Sequence, residues 1–180
     1  VYPGFCRDRA RGWGPEQGRL PSWRLKLRGG CLCWPEELAA CGRLDAQTEV
    51  GDVVLRRADG FLAYHLATAV DELALGITDV VRGSDLWAAT APQVAVMAEL
   101  GGAPPRYWHL PLWCDAEGQR LSKRDGGVGL AELQQQGLDG PAVLGVMAAS
   151  LGLVPEGTQL SLSELQQTCS VEQLRAALSC

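Results

Sequence analysis

Between Gly51 and Cys114 three short apolar runs alternate with two segments of helical spacing, and this alternation narrows the fold most. Asp52-Val53-Val54-Leu55-Arg56 lies between Gly51 and the Asp59-Gly60 turn signal, the pattern of a short buried strand. Residues 61–73 then repeat Leu62, Leu66, Ala69, Val70 and Leu73 on one stripe, which predicts an amphipathic helix. Gly76-Ile77-Thr78 turns the chain into Asp79-Val80-Val81-Arg82-Gly83, a second strand that ends in a cation beside a glycine. Thr90, with Pro92 two residues on, predicts a helix cap, and Val94, Met97, Ala98 and Leu100 its buried face up to Gly101-Gly102. After the rigid Ala103-Pro104-Pro105, residues 106–114 read as a third strand. A parallel α/β half-domain satisfies that order, because parallel neighbours need crossovers that a helix supplies.

Beyond residue 127 the texture is helical. Gly140-Pro141 opens an apolar segment over 142–151, and Ser161-x-x-Glu164 and Ser170-x-x-Gln173 are capping boxes before short helices. The fold expected is therefore α/β, the later part of a Rossmann-like sheet domain with an inserted subdomain, followed by a small helical domain. Boundaries are expected near 1–46, 47–117 and 118–180.

The third strand delivers Gly118-Gln119-Arg120-Leu121-Ser122-Lys123-Arg124-Asp125-Gly126-Gly127. Cations flanked by glycines suit a closing loop around a polyanion, since Lys and Arg stabilise a phosphoryl transition state electrostatically. A solvated basic turn has the same composition. Arg82 is the other candidate: ligands in open α/β sheets collect beyond the carboxyl ends of strands, and a guanidinium there can grip a carboxylate bidentately. Tyr64 falls opposite the apolar stripe of its helix, free to face a cleft or solvent. His109, between Trp108 and Leu110, reads as a structural hydrogen-bonding residue.

Composition sets limits. The chain's 180 residues are 47% hydrophobic and 21% charged, enough for a real core. A net charge of −5 provides no whole-chain basic field, so any RNA contact must use local patches. No apolar run approaches the ~20 residues of a membrane span, and the start lacks the pattern of a signal peptide. Seven cysteines, an odd number at irregular spacing, predict reduced thiols and a cytoplasmic setting. In the first region, residues 23–27 alternate as a half-exposed strand and Trp34-Pro35-Glu36-Glu37-Leu38 reads as a turn or first helical turn. This region predicts an insertion between halves of a larger sheet domain.

Arg120-Leu121-Ser122-Lys123-Arg124 resembles the second signature loop of class I aminoacyl-tRNA synthetases. Gly51 to Leu66 and Gly76 to Leu86 resemble the glutamyl branch of that class, in the family's order. The resemblance implies ATP-dependent activation of glutamate, with magnesium as counter-ion, and transfer of the glutamyl group to an RNA. It implies that Tyr64 and Arg82 bind glutamate, that Arg120, Leu121, Ser122, Lys123 and Arg124 form the ATP loop, and that Lys123 is catalytic. Tyr2-Pro3-Gly4-Phe5-Cys6-Arg7 resembles half of a zinc site in the glutamyl-queuosine subfamily, which makes Tyr2 and Cys6 partial metal ligands and zinc a possible group in a longer parent. Cys31-x-Cys33 lies in the wrong place for that pattern. Members of the subfamily glutamylate queuosine in the anticodon of tRNA(Asp), so the implied partners are glutamate, ATP and that tRNA, with no membrane and a monomeric state. A tRNA-charging glutamyl synthetase and a non-catalytic synthetase-like RNA-binding module are the alternatives. Asp79 stands where the family often has His. The family's first signature and the arginine-rich start that binds glutamate are missing, so this piece alone is expected to be nearly inactive.

Overall fold

The structure, a computed structural model, describes residues 1–7, 15, 20–112, 114 and 129–178. The chain divides into two compact units, Val1–His109 and Leu110–Cys180.

In the first unit the strands are β1 (Trp23–Leu25), β2 (Cys31–Trp34), β3 (Gly42–Asp45), β4 (Val53–Arg56), β5 (Asp79–Gly83) and β6 (Arg106–Leu110). Helix α1 (Tyr64–Ala74) joins β4 to β5, and α2 (Trp87–Glu99) joins β5 to β6. β5 and β6 are neighbours in one sheet, and the helical crossover between them makes a parallel β–α–β unit. β4 does not extend that ladder among the described residues; it pairs antiparallel with β1, Leu25 opposite Val53. β2 and β3 form a second antiparallel pair, Cys33 opposite Arg43. Pro35 and Glu37 are not helical. They hydrogen-bond to either side of Tyr107 (Tyr107 N–H to the Pro35 carbonyl and Glu37 N–H to the Tyr107 carbonyl, both 2.9 Å), laying Glu36 alongside β6 as a parallel bridge. The turn signals were real, but tertiary pairing with β6 decided the backbone.

α1 buries Leu66, Ala69 and Leu73 against the core, while Val70 remains exposed and Leu62 lies before the helix, in a bridge to Arg56. α2 begins at Trp87 behind a tight turn over Ser84–Leu86, so Thr90 and Pro92 lie inside it and Thr90 caps nothing. Val94, Ala95, Val96 and Met97 are consecutively buried, whereas Ala98 and Leu100 are exposed. With Gln93 to Met97 buried in unbroken succession, the helix has no clear amphipathic period to read. Both helices end in a glycine with positive φ, Gly76 at +64° and Gly101 at +77°. Ile77 N–H then reaches the Glu72 carbonyl at 3.0 Å and Gly102 N–H the Met97 carbonyl at 2.9 Å, the two-bond closure that needs a left-handed residue. These stops aim the chain into β5 and β6.

Asp52, just before β4, is 6% exposed and receives both Arg7 Nε and Arg7 Nη2 at 2.7 Å, with Leu27 N–H at 3.2 Å. The Arg7 hydrogen bonds hold its carboxyl below the usual carboxylate range, against the opposing effect of burial. A depressed folded pKa adds stability at pH values above the unfolded value of ~3.9, and this is lost as pH falls through the folded value. Asp52→Asn is expected to cost about 2 kcal/mol at neutral pH and to flatten the loss of stability below about pH 4, read by denaturant melts at several pH values. An unchanged acid limb would show that the pair contributes nothing.

The second unit holds α3 (Leu130–Gln135), α4 (Gly140–Ser150), α5 (Leu162–Thr168) and α6 (Val171–Leu178). Asp139 accepts Ala142 N–H at 3.0 Å to start α4. Ser161–Glu164 and Ser170–Gln173 make the reciprocal side-chain bonds that their spacing predicts. No described helix is long and apolar enough to cross a membrane.

Candidate active site

Arg82 rises from β5 into a ring of acceptors supplied by the β–α–β unit. Its Nε donates to His109 Nε2 at 3.1 Å, Nη1 to Gln93 Oε1 at 2.9 Å and Nη2 to Thr90 Oγ1 at 2.5 Å. The guanidinium carbon stands 4.9 Å from the centre of the Tyr107 ring. Thr90 and Gln93 are three apart on α2 and so share a face; Tyr107 and His109 are two apart on β6 and do the same. Thr90, Gln93 and Tyr107 are fully buried. Arg82 itself is half-buried, with N–H groups left over for a ligand.

The ring continues outward. Gln93 Nε2 donates to Thr68 Oγ1 at 2.8 Å, and the Thr68 hydroxyl donates to the Tyr64 carbonyl at 2.8 Å. Tyr107 donates its hydroxyl to Glu72 Oε2 at 3.3 Å. Glu36 Oε2 lies 2.6 Å from His109 Nδ1. Burial pushes the Glu72 carboxyl up, opposed by the Tyr107 hydroxyl and the Arg82 charge. Burial and then the Glu72 charge push the Tyr107 phenol well above its ordinary range, with Arg82 and Tyr64 also near enough to act on it. His65 is pushed down by burial and then by Arg82, and its Nδ1 is buried without a hydrogen-bond partner among the described residues.

Of the residues singled out from sequence, Tyr64 begins α1 and is 55% exposed, its ring edge-on to His65 at 5.9 Å. Arg82 stands over the Tyr107 ring, and Tyr64 is near enough to act on the Tyr107 phenol. Asp79 is tied instead to Arg106 at 2.8 Å and Trp108 Nε1 at 3.2 Å, and these bonds lower its pKa. Arg120, Leu121, Ser122, Lys123 and Arg124 lie outside the described residues. Tyr2 and Cys6 meet, but the 2.7 Å contact is the Cys6 N–H donating to the Tyr2 hydroxyl. They line a separate pocket of about 380 Å³ with Arg7, Arg24 and Asp52. Zinc takes four ligands, and among the described residues no group of three or more His, Cys, Asp or Glu could hold a metal ion. The residues described do not fit zinc.

Sequence reasoning missed Glu36, Thr68, Glu72, Thr90, Gln93 and Tyr107. Thr90 carried a misleading cap signal; the others carried none, because each acts across elements.

Residues 18–177 match the family model for tRNA synthetases class I (E and Q), catalytic domain. The chain belongs to that family. Among its curated relatives is a glutamyl-Q tRNA(Asp) synthetase of Parasynechococcus marenigrum (strain WH8102), 50% identical over 178 residues that cover 99% of this chain and 56% of the relative. Another glutamyl-Q tRNA(Asp) synthetase, of Deinococcus radiodurans, is 40% identical over 154 residues, 84% of this chain and 50% of the relative. The chain thus spans about half the length of the curated relatives it matches. A crystal structure of a glutamate tRNA ligase from Elizabethkingia meningosepticum in complex with its amino acid superposes with a TM-score of 0.61 at 26% identity, over 76% of this chain and 31% of that one. These likenesses make the fold that of a class I synthetase catalytic domain.

Proposed function

We propose that this chain carries the glutamate-binding part of an enzyme that activates glutamate with ATP and transfers the glutamyl group to queuosine in the anticodon of tRNA(Asp). The observation that carries the amino-acid half is Arg82, a guanidinium fixed by three acceptors and still offering N–H groups at the end of a sheet strand. The relatives named for glutamyl-Q tRNA(Asp) support the RNA half.

In the reaction, an α-carboxylate oxygen of glutamate attacks the α-phosphorus of ATP, the bond to the β-phosphate breaks, and pyrophosphate leaves. Arg82 holds a substrate carboxylate and Tyr64 offers its exposed hydroxyl to the same small ligand. Lys123, in the loop resembling the second signature, neutralises charge growing on the triphosphate. Positioning and electrostatics lower the barrier, so no side-chain nucleophile takes part. Magnesium, as the counter-ion of ATP, would screen phosphate charge when bound.

Transfer of labelled glutamate by the complete protein, compared on tRNA(Asp) with and without queuosine, tests the reading. Labelling confined to the queuosine-bearing tRNA is the expected result. Labelling of tRNA(Glu) at its acceptor end would make it a charging enzyme, and labelling of neither would favour a binding module.

A further inference from the structure

Beyond Arg82 itself, the pair behind it has a defined chemistry. An arginine N–H can be accepted only by an unprotonated ring nitrogen, so the 3.1 Å contact from Arg82 Nε fixes the lone pair of His109 on Nε2. The ring proton then sits on Nδ1, facing Glu36 Oε2 at 2.6 Å. The other Glu36 oxygen accepts the backbone N–H of His109 at 3.3 Å, so one carboxylate holds both the ring and the main chain of the same residue. The two side chains are only 2–3% exposed. Burying a carboxylate there is costly unless it is bonded, so the arrangement calls for an explanation beyond packing.

We propose that Glu36 and His109 are positioning residues: the buried carboxylate fixes the imidazole tautomer, and the imidazole in turn aims the Arg82 guanidinium at the substrate carboxylate. The inference rests on Arg82 being the glutamate ligand. A carboxylate behind an imidazole orients it and makes its far nitrogen a better acceptor, the logic of the carboxylate–histidine pairs of catalytic triads and metal sites. Here the far nitrogen faces an arginine. With Thr90 Oγ1 and Gln93 Oε1 on the terminal nitrogens, the guanidinium is held at all three nitrogens before substrate arrives. A ligand carboxylate then spends less of its binding free energy on ordering Arg82.

The segment carrying Glu36 is secured independently of its side chain, by the backbone bonds of Pro35 and Glu37 to Tyr107. Changing Glu36 therefore leaves its backbone in place. Gln has the same shape, but its amide presents one acceptor where the carboxylate presents two. If the amide nitrogen faces Nδ1, the ring proton moves to Nε2 and opposes the Arg82 Nε–H.

The test measures KM for glutamate and KM for ATP in the pyrophosphate-exchange reaction of the complete protein. Glu36→Gln is expected to raise the glutamate KM about 10- to 100-fold, the loss of one charge-assisted hydrogen bond, with the ATP KM within about 2-fold of wild type. His109→Gln, whose side-chain oxygen reaches the place of Nε2, is expected to keep at least about 5-fold more glutamate affinity than His109→Leu. Both variants remove the ring partner of Glu36, so the difference between them isolates the acceptor facing Arg82. Histidine-selective 15N NMR is expected to show wild-type His109 protonated at Nδ1 alone, and this readout stands even if a variant fails to fold. Glutamate KM values within about 2-fold of wild type in Glu36→Gln and His109→Leu, or a proton on Nε2 in the wild type, would overturn the inference. If those values hold while Arg82→Ala abolishes glutamate dependence, only the positioning role falls. If the wild type itself shows no glutamate dependence, the reading of Arg82 falls with it.

Discussion

Alanine in place of Arg82 is expected to lower kcat/KM for glutamate about 10²- to 10⁴-fold in the complete protein, with the ATP KM near wild type. The estimate takes two charge-assisted hydrogen bonds to a substrate carboxylate at about 1.5–3 kcal/mol each. Lysine should not rescue the loss. It cannot offer the planar fork, and it leaves some of His109 Nε2, Gln93 Oε1 and Thr90 Oγ1 without the donors they now share. Removing Arg82 also takes the donor from the buried Gln93 Oε1, while Thr90 Oγ1 and His109 Nε2 keep each other at 3.2 Å, so stability falls as well. Initial rates against glutamate, with a melting curve on the same preparation, separate the two effects. A variant that is folded and has wild-type kcat/KM would remove Arg82 from the site.

The largest stability effect is expected at Gly42. A Cβ built there would stand 1.9 Å from Trp34 Cε2 and 2.0 Å from its Nε1, inside any permitted contact. Trp34 is 2% exposed and its ring packs 5.0 Å from that of Trp87, so it has nowhere to retreat. Overpacking of this kind costs about 3 kcal/mol, and Gly42→Ala should lower the melting midpoint by about 6–12 °C. Trp34 leads through Pro35 to Glu36, so the substitution should also raise the glutamate KM. Gly140→Ala, in the first turn of α4 with nothing within 4 Å of the added methyl, is the control expected to melt near wild type. A melt of Gly42→Ala that matches the control would mean the strand pair β2–β3 rearranges at little cost.

Much of the scaffold was legible because its signals are local. The β4 and β5 runs, the Asp59-Gly60 turn, the glycine stops of α1 and α2, and both capping boxes depend on residues within a turn or two of one another. The place of Arg82 was legible for a similar reason, a cation beside glycine at a strand end. Its setting was not. Glu36 reaches His109 across 73 residues of sequence, and its acids read locally as a turn. Gln93 and Thr90 look like ordinary polar positions in a helix whose unbroken burial from Gln93 to Met97 erases the period that would mark a face. Thr90 shows how the two kinds of signal compete: a Thr shortly before Pro suits a cap, but its hydroxyl accepts from Arg82 and the helix starts at Trp87 instead. The loop with Lys123 falls outside the described residues, and its role rests on resemblance.

The most direct measurement is glutamate-dependent ATP–pyrophosphate exchange by the complete protein without tRNA, run beside Lys123→Ala and Arg82→Ala. The account predicts exchange that requires glutamate and falls to background in both variants. Exchange indifferent to glutamate, or exchange that persists in the two variants, would contradict it.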